Sequence, residues 1–344
     1  MNTRILKPDA AALTEAAALI REGQLVGIPT ETVYGLGADA LNEDAVRAIF
    51  EAKGRPGDNP LIVHIAHREQ LAPLIGAKPS PAAKILMDAC WPGPLTLIFP
   101  RSEAVPLRTT GGLDTVAVRM PAHPVARALI LQSGRPIAAP RGNRSGRPSP
   151  TAASHMFEDM DGRIPLILDG GPCGVGVEST VLDVTGEIPR VLRPGGVSPE
   201  RIAEICGACE VDDAVMRPLR EDERPRSPGM KYRHYAPAGE LTIYRGEAQP
   251  VADAIRAAYD RAERERKHPL ILALEPNLPR YGERRTCSLG RDAEEAARTI
   301  FAALREADGQ RADVLLSEAV DTDGIGLAVM NRLGRAAAFH IVEV

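Results

Sequence analysis

Apolar and polar residues repeat along this chain with two periods, and each change of period marks an element. Residues 9 to 22 repeat apolar positions at the spacing of one helix face, and Gly23 supplies a stop. "QLVGIP" then reads as a strand, residues 43 to 53 as a helix, and "PLIVHI" as a strand. "HREQLAPLI" and "PAAKILMDAC" read as helices, and "PLTLIFP" and "TVAVRMP" as strands. A helix from Pro124 to Gln132 follows, then the short strands "PIAAP", "PLILDGG", "STVLDV" and "PRVLRPG". The helix "SPERIAEIC" closes this part near residue 206. Mixed strands and helices with Pro or Gly at most strand ends predict an α/β sheet with shaped loops.

The pattern lapses from 210 to 238, where charge and proline are dense and periodicity is poor. It returns from 239 to 344, with strands "ELTIYRG", "PLILALE", "TCSLG" and "DVLLSEA" alternating with helices at 249–266, 291–307 and 326–336. That alternation predicts a small parallel α/β domain. The organisation is therefore a first domain over 1–209, a linker over 210–238 and a second domain over 239–344. A length of 344 residues fits this division, because single cores rarely grow beyond about 250 residues.

Composition narrows the class. A net charge of −4 excludes a wholly basic nucleic-acid binder and leaves local basic patches open. No apolar run approaches the roughly 18 residues of a membrane span, and the N-terminus lacks a signal-peptide core. The five cysteines are an odd count and widely scattered, so no disulfide framework is expected and the cytoplasm is the expected compartment. Cys206 and Cys209 form a CxxC without two further ligands at a matching spacing. A helix end explains them, and no metal site is expected.

Five segments carry polar residues that packing does not explain. In "IPTETVYGLGADA", Thr30, Glu31 and Thr32 follow directly on a strand, where open α/β sheets bind ligands. In "AKGRPGDNPLIVHI", Lys53 and Arg55 flank Gly54, where a phosphate can approach the backbone; a solvated helix end explains the two cations equally well. In "TTGGLDTVAVRMP", Thr115 and Arg119 share a strand face, and Arg119 suits a carboxylate. "APRGNRSGRPSPT" offers arginines and backbone N–H groups to phosphates. "GVGVESTVLDV" delivers Glu178, Ser179 and Thr180 to a strand start, and Arg193 follows. Cations in four separated places with small hydroxyls between them suit a polyanion held beside an amino acid. No Ser or Cys nucleophile stands with a paired His and acid, so catalysis by positioning and charge neutralisation is expected.

Together, "PTETVYGLGADA", "KGRP…NPLIVHI", "WPGPLTLIF", "VAVRMPAHP", "NRSGRPSPT" and "GVESTVLD" resemble the YrdC-like family. The linker ending "SPGMKYRHYAP" and the extra α/β domain resemble its long form. The resemblance implies a YrdC-like twisted α/β catalytic domain with a concave basic cavity, plus a smaller Rossmann-like parallel α/β C-terminal domain. It implies a nucleotidyltransferase that makes threonylcarbamoyl-adenylate and pyrophosphate from L-threonine, bicarbonate or CO2, and ATP with Mg2+. Downstream proteins then transfer the threonylcarbamoyl group to adenosine in tRNA, and a weak direct contact with tRNA is a further implied partner.

Carried over by motif position, Thr32, His64, Arg119, Ala139 and Ser179 contact threonine. Arg55, Asn59, Thr115, Arg141, Asn143, Ser149, Arg193 and Tyr235 contact ATP, and Lys53 with Arg55 forms the catalytic Lys-x-Arg pair. Arg141-Gly142-Asn143 departs from the family's Ser-Ala-Asn, and Arg141 is expected to point into the nucleotide site and add a phosphate contact. "SPGMKYRHYAP" is expected to fold over the cavity as a lid, with Tyr235 on the nucleotide. A carbamoyltransferase with another acceptor, and a double-stranded RNA-binding protein using the basic face, are the competing readings.

Overall fold

The computed structural model describes residues 2–57, 59–217 and 235–344. They divide into two compact units, one from residues 2–145 and 149–215, the other from 235–344 together with 146–148 and 216–217. The first unit extends past the boundary expected at 209, because Glu210–Val211 pairs with Arg190–Val191 at the edge of its sheet.

The first unit opens with β1 (Arg4–Leu6), α1 (Ala10–Arg21), β2 (Val26–Ile28), β3 (Gly35–Asp39) and α2 (Glu43–Lys53). Asp9 caps α1 by accepting from the Ala12 N–H, and Asn42 caps α2 by accepting from Asp44 and Ala45. Gly54 ends α2 in the left-handed region, φ 66°, which stops the helix. Then come β4 (Ile62–His64), α3 (Pro81–Cys90), β5 (Leu95–Pro100), β6 (Thr115–Arg119), α4 (Pro124–Ser133) and β7 (Ile137–Ala138). α5 (Ala153–Met160), β8 (Leu166–Leu168), β9 (Thr180–Asp183), β10 (Arg190–Arg193), α6 (Pro199–Cys206) and β11 (Glu210–Val211) complete it.

Several elements of the first unit differ from expectation. "HREQLAPLI" forms two short 3-10 turns, Arg68–Gln70 and Ala72–Leu74, because Pro73 cannot continue a helix that has barely begun. β1, β3, α5 and β11 had no counterpart among the elements expected from the sequence. β3 is buried on both faces, and its two glycines hide the alternation that would announce a strand.

The described strands of the first unit join in the order β1-β8-β2-β3-β7-β4-β6-β5-β9-β10-β11, with parallel and antiparallel neighbours mixed. Leu36, Val63, Leu97, Val118 and Leu182 fill the main core with Ile49 and Phe50 of α2. Cys206 ends α6 with Gly207 as its left-handed cap, which is the helix end expected of the CxxC. Burial pushes the Cys206 thiol up and the Cys209 thiol to about 11, so both stay protonated at neutral pH.

The second unit is β12 (Glu240–Arg245), α7 (Ala248–Arg264), β13 (Pro269–Ala273), β14 (Thr286–Ser288), α8 (Ala293–Gly309), β15 (Val314–Glu318), α9 (Gly326–Ala336) and β16 (Ile341–Glu343). Its strands run β14-β13-β15-β12-β16, all parallel. Tyr235 is buried in this unit, its ring stacked on Phe301 at 5.2 Å, with the Arg332 guanidinium 6.0 Å from its centre. The ring expected on the nucleotide is thus seated against the second unit's own side chains. Lys231, Tyr232, Arg233 and His234 of the proposed lid lie outside the described residues. No helix among the described residues is long and apolar enough to cross a membrane.

Gly195, just after β10, is where two backbones meet. A Cβ there would lie 2.3 Å from the carbonyl oxygen of Glu178, the carbonyl carbon of Ser179 and the nitrogen of Thr180. All three are main-chain atoms and cannot rotate away. Gly195→Ala is expected to lower stability by about 1–3 kcal/mol, as overpacking does, read as a lower urea midpoint. An unchanged midpoint would contradict this packing.

Candidate active site

A turn, a row of paired strands and two loops build a cleft in the first unit. The turn is held by Thr30. Its hydroxyl donates to the Val33 carbonyl at 2.6 Å and accepts from the Thr32 and Val33 N–H groups. That hydroxyl hydrogen is thus committed, so Thr32 donates across the 2.9 Å between the two side-chain oxygens. Thr32 Oγ1 in turn accepts from Arg119 at 2.8 Å.

Register places the next groups. His64 is the partner of Arg119 across β4 and β6, and Arg119 is the partner of Thr96 across β6 and β5. Direct partners share a sheet face, so these three side chains form one row. Thr96 and Ser179 hydroxyls lie 2.8 Å apart, and Arg193 donates to the Ser179 carbonyl at 2.9 Å and hydroxyl at 3.1 Å.

Arg119 is buried and lies 2.7 Å from a Glu31 oxygen, while its Nε donates to the Gly93 carbonyl. Burial would push the Glu31 carboxyl up, but the Arg119 guanidinium and the Ala122 N–H outweigh it and hold it below its usual range. A second acid, Glu178, is buried, accepts from Ser149 at 2.7 Å and sits 3.5 Å from Arg141 Nε. Arg141 also donates to Ser149 at 3.0 Å. Each pair sets a guanidinium rigidly on the cleft wall.

All five residues expected around threonine, Thr32, His64, Arg119, Ala139 and Ser179, line this one cleft. Of those expected around ATP, Arg55, Arg141 and Arg193 line it, and Ser149 adjoins it through Arg141. Thr115, half-buried and paired with Pro100 at the far end of β6, and Asn143 do not. Asn59 is fully buried, and neither polar atom of its amide has a partner among the described residues. An unsatisfied buried polar group costs about 1–3 kcal/mol, which a ligand's hydrogen bonds would recover.

Lys53 lines the cleft as well. Its ammonium donates to the backbone carbonyls of Arg141, at 2.5 Å, and Asn143. Glu31, Glu178 and Thr96 had no assigned role. The signal for Thr96 was available, as the lone hydroxyl in the apolar strand "PLTLIFP".

The lining carries five cationic side chains, Lys53, Arg55, Arg119, Arg141 and Arg193, and one carboxylate, Glu178. Small hydroxyls and a histidine lie among them. A lining of this kind favours anionic groups.

A family model described as telomere recombination, covering Sua5, YciO and YrdC proteins, matches residues 18–195. The chain belongs to the Sua5/YciO/YrdC family. A second model, described as the threonylcarbamoyl-AMP synthase C-terminal domain, matches residues 197–338. The threonylcarbamoyl-AMP synthase of Pyrococcus abyssi is 50% identical over 96% of this chain and 95% of the relative. That of Bacillus subtilis is 48% identical over 96% and 94%. A crystal structure of P. abyssi Sua5 complexed with L-threonine superposes with a TM-score of 0.93 at 48% identity, over 100% of this chain and 99% of the other. Every residue lining the cleft falls within the Sua5/YciO/YrdC match.

Burial, with the Arg119 guanidinium adding to it, pushes the His64 imidazole down to about 3, so it is neutral at working pH. Its Nδ1 lies 3.1 Å from the Ile62 carbonyl, which only accepts, so Nδ1 carries the proton. The unfolded value is about 6.5, and the folded value lies below it. Protonation therefore favours unfolding: this contribution is intact above about pH 6.5 and is lost as pH falls towards 3. His64→Gln is expected to flatten the stability difference between pH 7.5 and 4.5 in urea unfolding. An equally steep difference in the variant would contradict a neutral buried His64.

Proposed function

We infer that this protein is a threonylcarbamoyl-AMP synthase, which joins L-threonine, CO2 from bicarbonate and the AMP part of ATP into threonylcarbamoyl-adenylate for tRNA modification. One observation carries the reading: a single cleft gathers the five residues expected for threonine and, beside them, three arginines suited to a polyphosphate. The near-complete likeness to relatives of that name, and to a structure complexed with L-threonine, supports it.

The threonine amine attacks the carbon of CO2 and loses a proton, giving a carbamate. A carbamate oxygen then attacks the α-phosphorus of ATP. The bond to the bridging oxygen breaks, and pyrophosphate leaves with the electron pair. No protein nucleophile is needed.

Arg119 and Thr32 hold the threonine carboxylate, while neutral His64 and the Ser179 hydroxyl bound the remainder of the amino acid. Arg55, Arg193 and Arg141 offset the charge of the triphosphate. Mg2+ arrives with ATP, because Glu178, the carboxylate on the lining, is already bonded to Ser149 and Arg141, leaving the triphosphate as the better oxygen donor. The adenylate passes to proteins that transfer the threonylcarbamoyl group to tRNA.

The full chain with ATP, Mg2+ and bicarbonate should release pyrophosphate only when L-threonine is present. Release that ignores threonine would overturn the assignment. Arg55→Ala is expected to weaken ATP binding at least about tenfold, the loss of one charge-assisted contact, with little effect on threonine. Arg119→Lys keeps a charge opposite Glu31 but loses the fork, and is expected to weaken threonine binding instead. Calorimetry showing equal losses of both ligands in each variant would contradict this division of the cleft.

A further inference from the structure

We propose that Lys53 is a positioning residue for the nucleotide, acting through the loop from Arg141 to Ser145 and not through the phosphates. The proposal rests on the reading that the cleft binds ATP.

The Lys53 side chain leaves the last turn of α2 and is buried. An ammonium has three N–H groups. Here the acceptors within reach are the Arg141 carbonyl at 2.5 Å, the Asn143 carbonyl, and the Asn143 side-chain oxygen at 3.5 Å. Every one of them belongs to the loop. The Lys53 main chain grips the same loop, since its carbonyl accepts from the Ser145 N–H at 3.2 Å.

The loop's other side is fixed by the sheet. Gly142 donates to the Tyr34 carbonyl at 2.8 Å, and Arg141 bridges to Gly35. Gly142 also packs closely on Met156, whose sulfur and methyl carbon an added Cβ would approach to 2.8 and 2.7 Å. Lys53 thus holds two carbonyls that would otherwise point into a buried region from the helix side. What the loop presents to the cleft is Arg141, whose guanidinium reaches Ser149 and Glu178. The grip is on backbone, so it is indifferent to which side chain stands at 141.

Electrostatics agree with this geometry. Burial holds the Lys53 amine well below its ordinary range, with Arg55 and Arg141 adding to the effect and Asp159 opposing it. In either protonation state its N–H groups can donate to the loop's carbonyls.

The test uses the full chain and ATP binding by calorimetry, with L-threonine binding as the check on folding. Lys53→Met is expected to weaken ATP at least about tenfold and to leave threonine within about twofold. In an Arg141→Ala background the same substitution should cost about twofold or less, because both changes act through one loop. Lys53→Gln, which restores N–H donors without charge, should recover part of the loss. Full additivity of Lys53→Met and Arg141→Ala, with Lys53→Gln as poor as Lys53→Met, would overturn the proposal. Should Lys53→Met fail to bind threonine, a crystal structure of the unaltered chain with ATP decides. Nζ remaining on the Arg141 and Asn143 carbonyls supports the proposal, and Nζ on a phosphate oxygen refutes it.

Discussion

Two acids facing two guanidinium groups hold this structure's cleft in shape. Arg119 meets Glu31, and Arg141 meets Glu178, each within a shell of further hydrogen bonds. In each pair one member, Arg119 or Glu178, is buried, and removing its partner would strand that charge away from water, so each pair locks the elements that carry it. The first ties the turn after β2 to the end of β6. The second ties the loop after β7 to the start of β9. Lys53 adds a third tie, from α2 to that same loop, made to carbonyls rather than to a carboxylate. The three ties converge on one wall, and that wall keeps more positive than negative side chains. Such a surface is suited to neutralise a triphosphate and is unsuited to standing empty of anions.

Much of this was legible in the sequence. Arg119 and Thr115 were placed on one strand by spacing alone, and the partnership of β4 with β6 then set His64 beside Arg119. The ordered motifs, matched by resemblance, named Thr32, Arg55, His64, Arg119, Ala139, Ser179 and Arg193, which line the cleft, and also Thr115 and Asn143, which do not. What stayed hidden depended on contacts between distant segments. Lys53 and Arg55 are two residues apart and both line the cleft, yet Lys53 ends with its ammonium on the 141–143 backbone while Arg55 stacks over Phe50 at 5.4 Å. No local pattern separates those fates. Glu178 was visible in "GVGVESTVLDV", but its pairing with Arg141 bridges 37 positions and two loops. β3 was obscured because a strand buried on both faces and bearing two glycines shows no alternation.

The second unit illustrates the same limit from another side. Its parallel sheet and three helices followed from strand-helix alternation, with boundaries close to those expected. Tyr235 did not. An aromatic residue in a polar, proline-rich stretch suggested a ligand contact, and the stacking of its ring on Phe301 beside Arg332 was not foreseen. Aromatic rings bury large apolar areas wherever a partner ring is within reach, and a sequence does not reveal that partner.

The account's central claim is that the cleft's positive lining is completed by a polyphosphate. Thermal unfolding of the full chain with adenosine, AMP, ATP and inorganic tripolyphosphate, each at low and high salt, tests it most directly. Stabilisation is predicted to rise from adenosine through AMP to ATP, to be substantial with tripolyphosphate alone, and to shrink as salt rises. Equal stabilisation by adenosine and ATP, independent of salt, would contradict it.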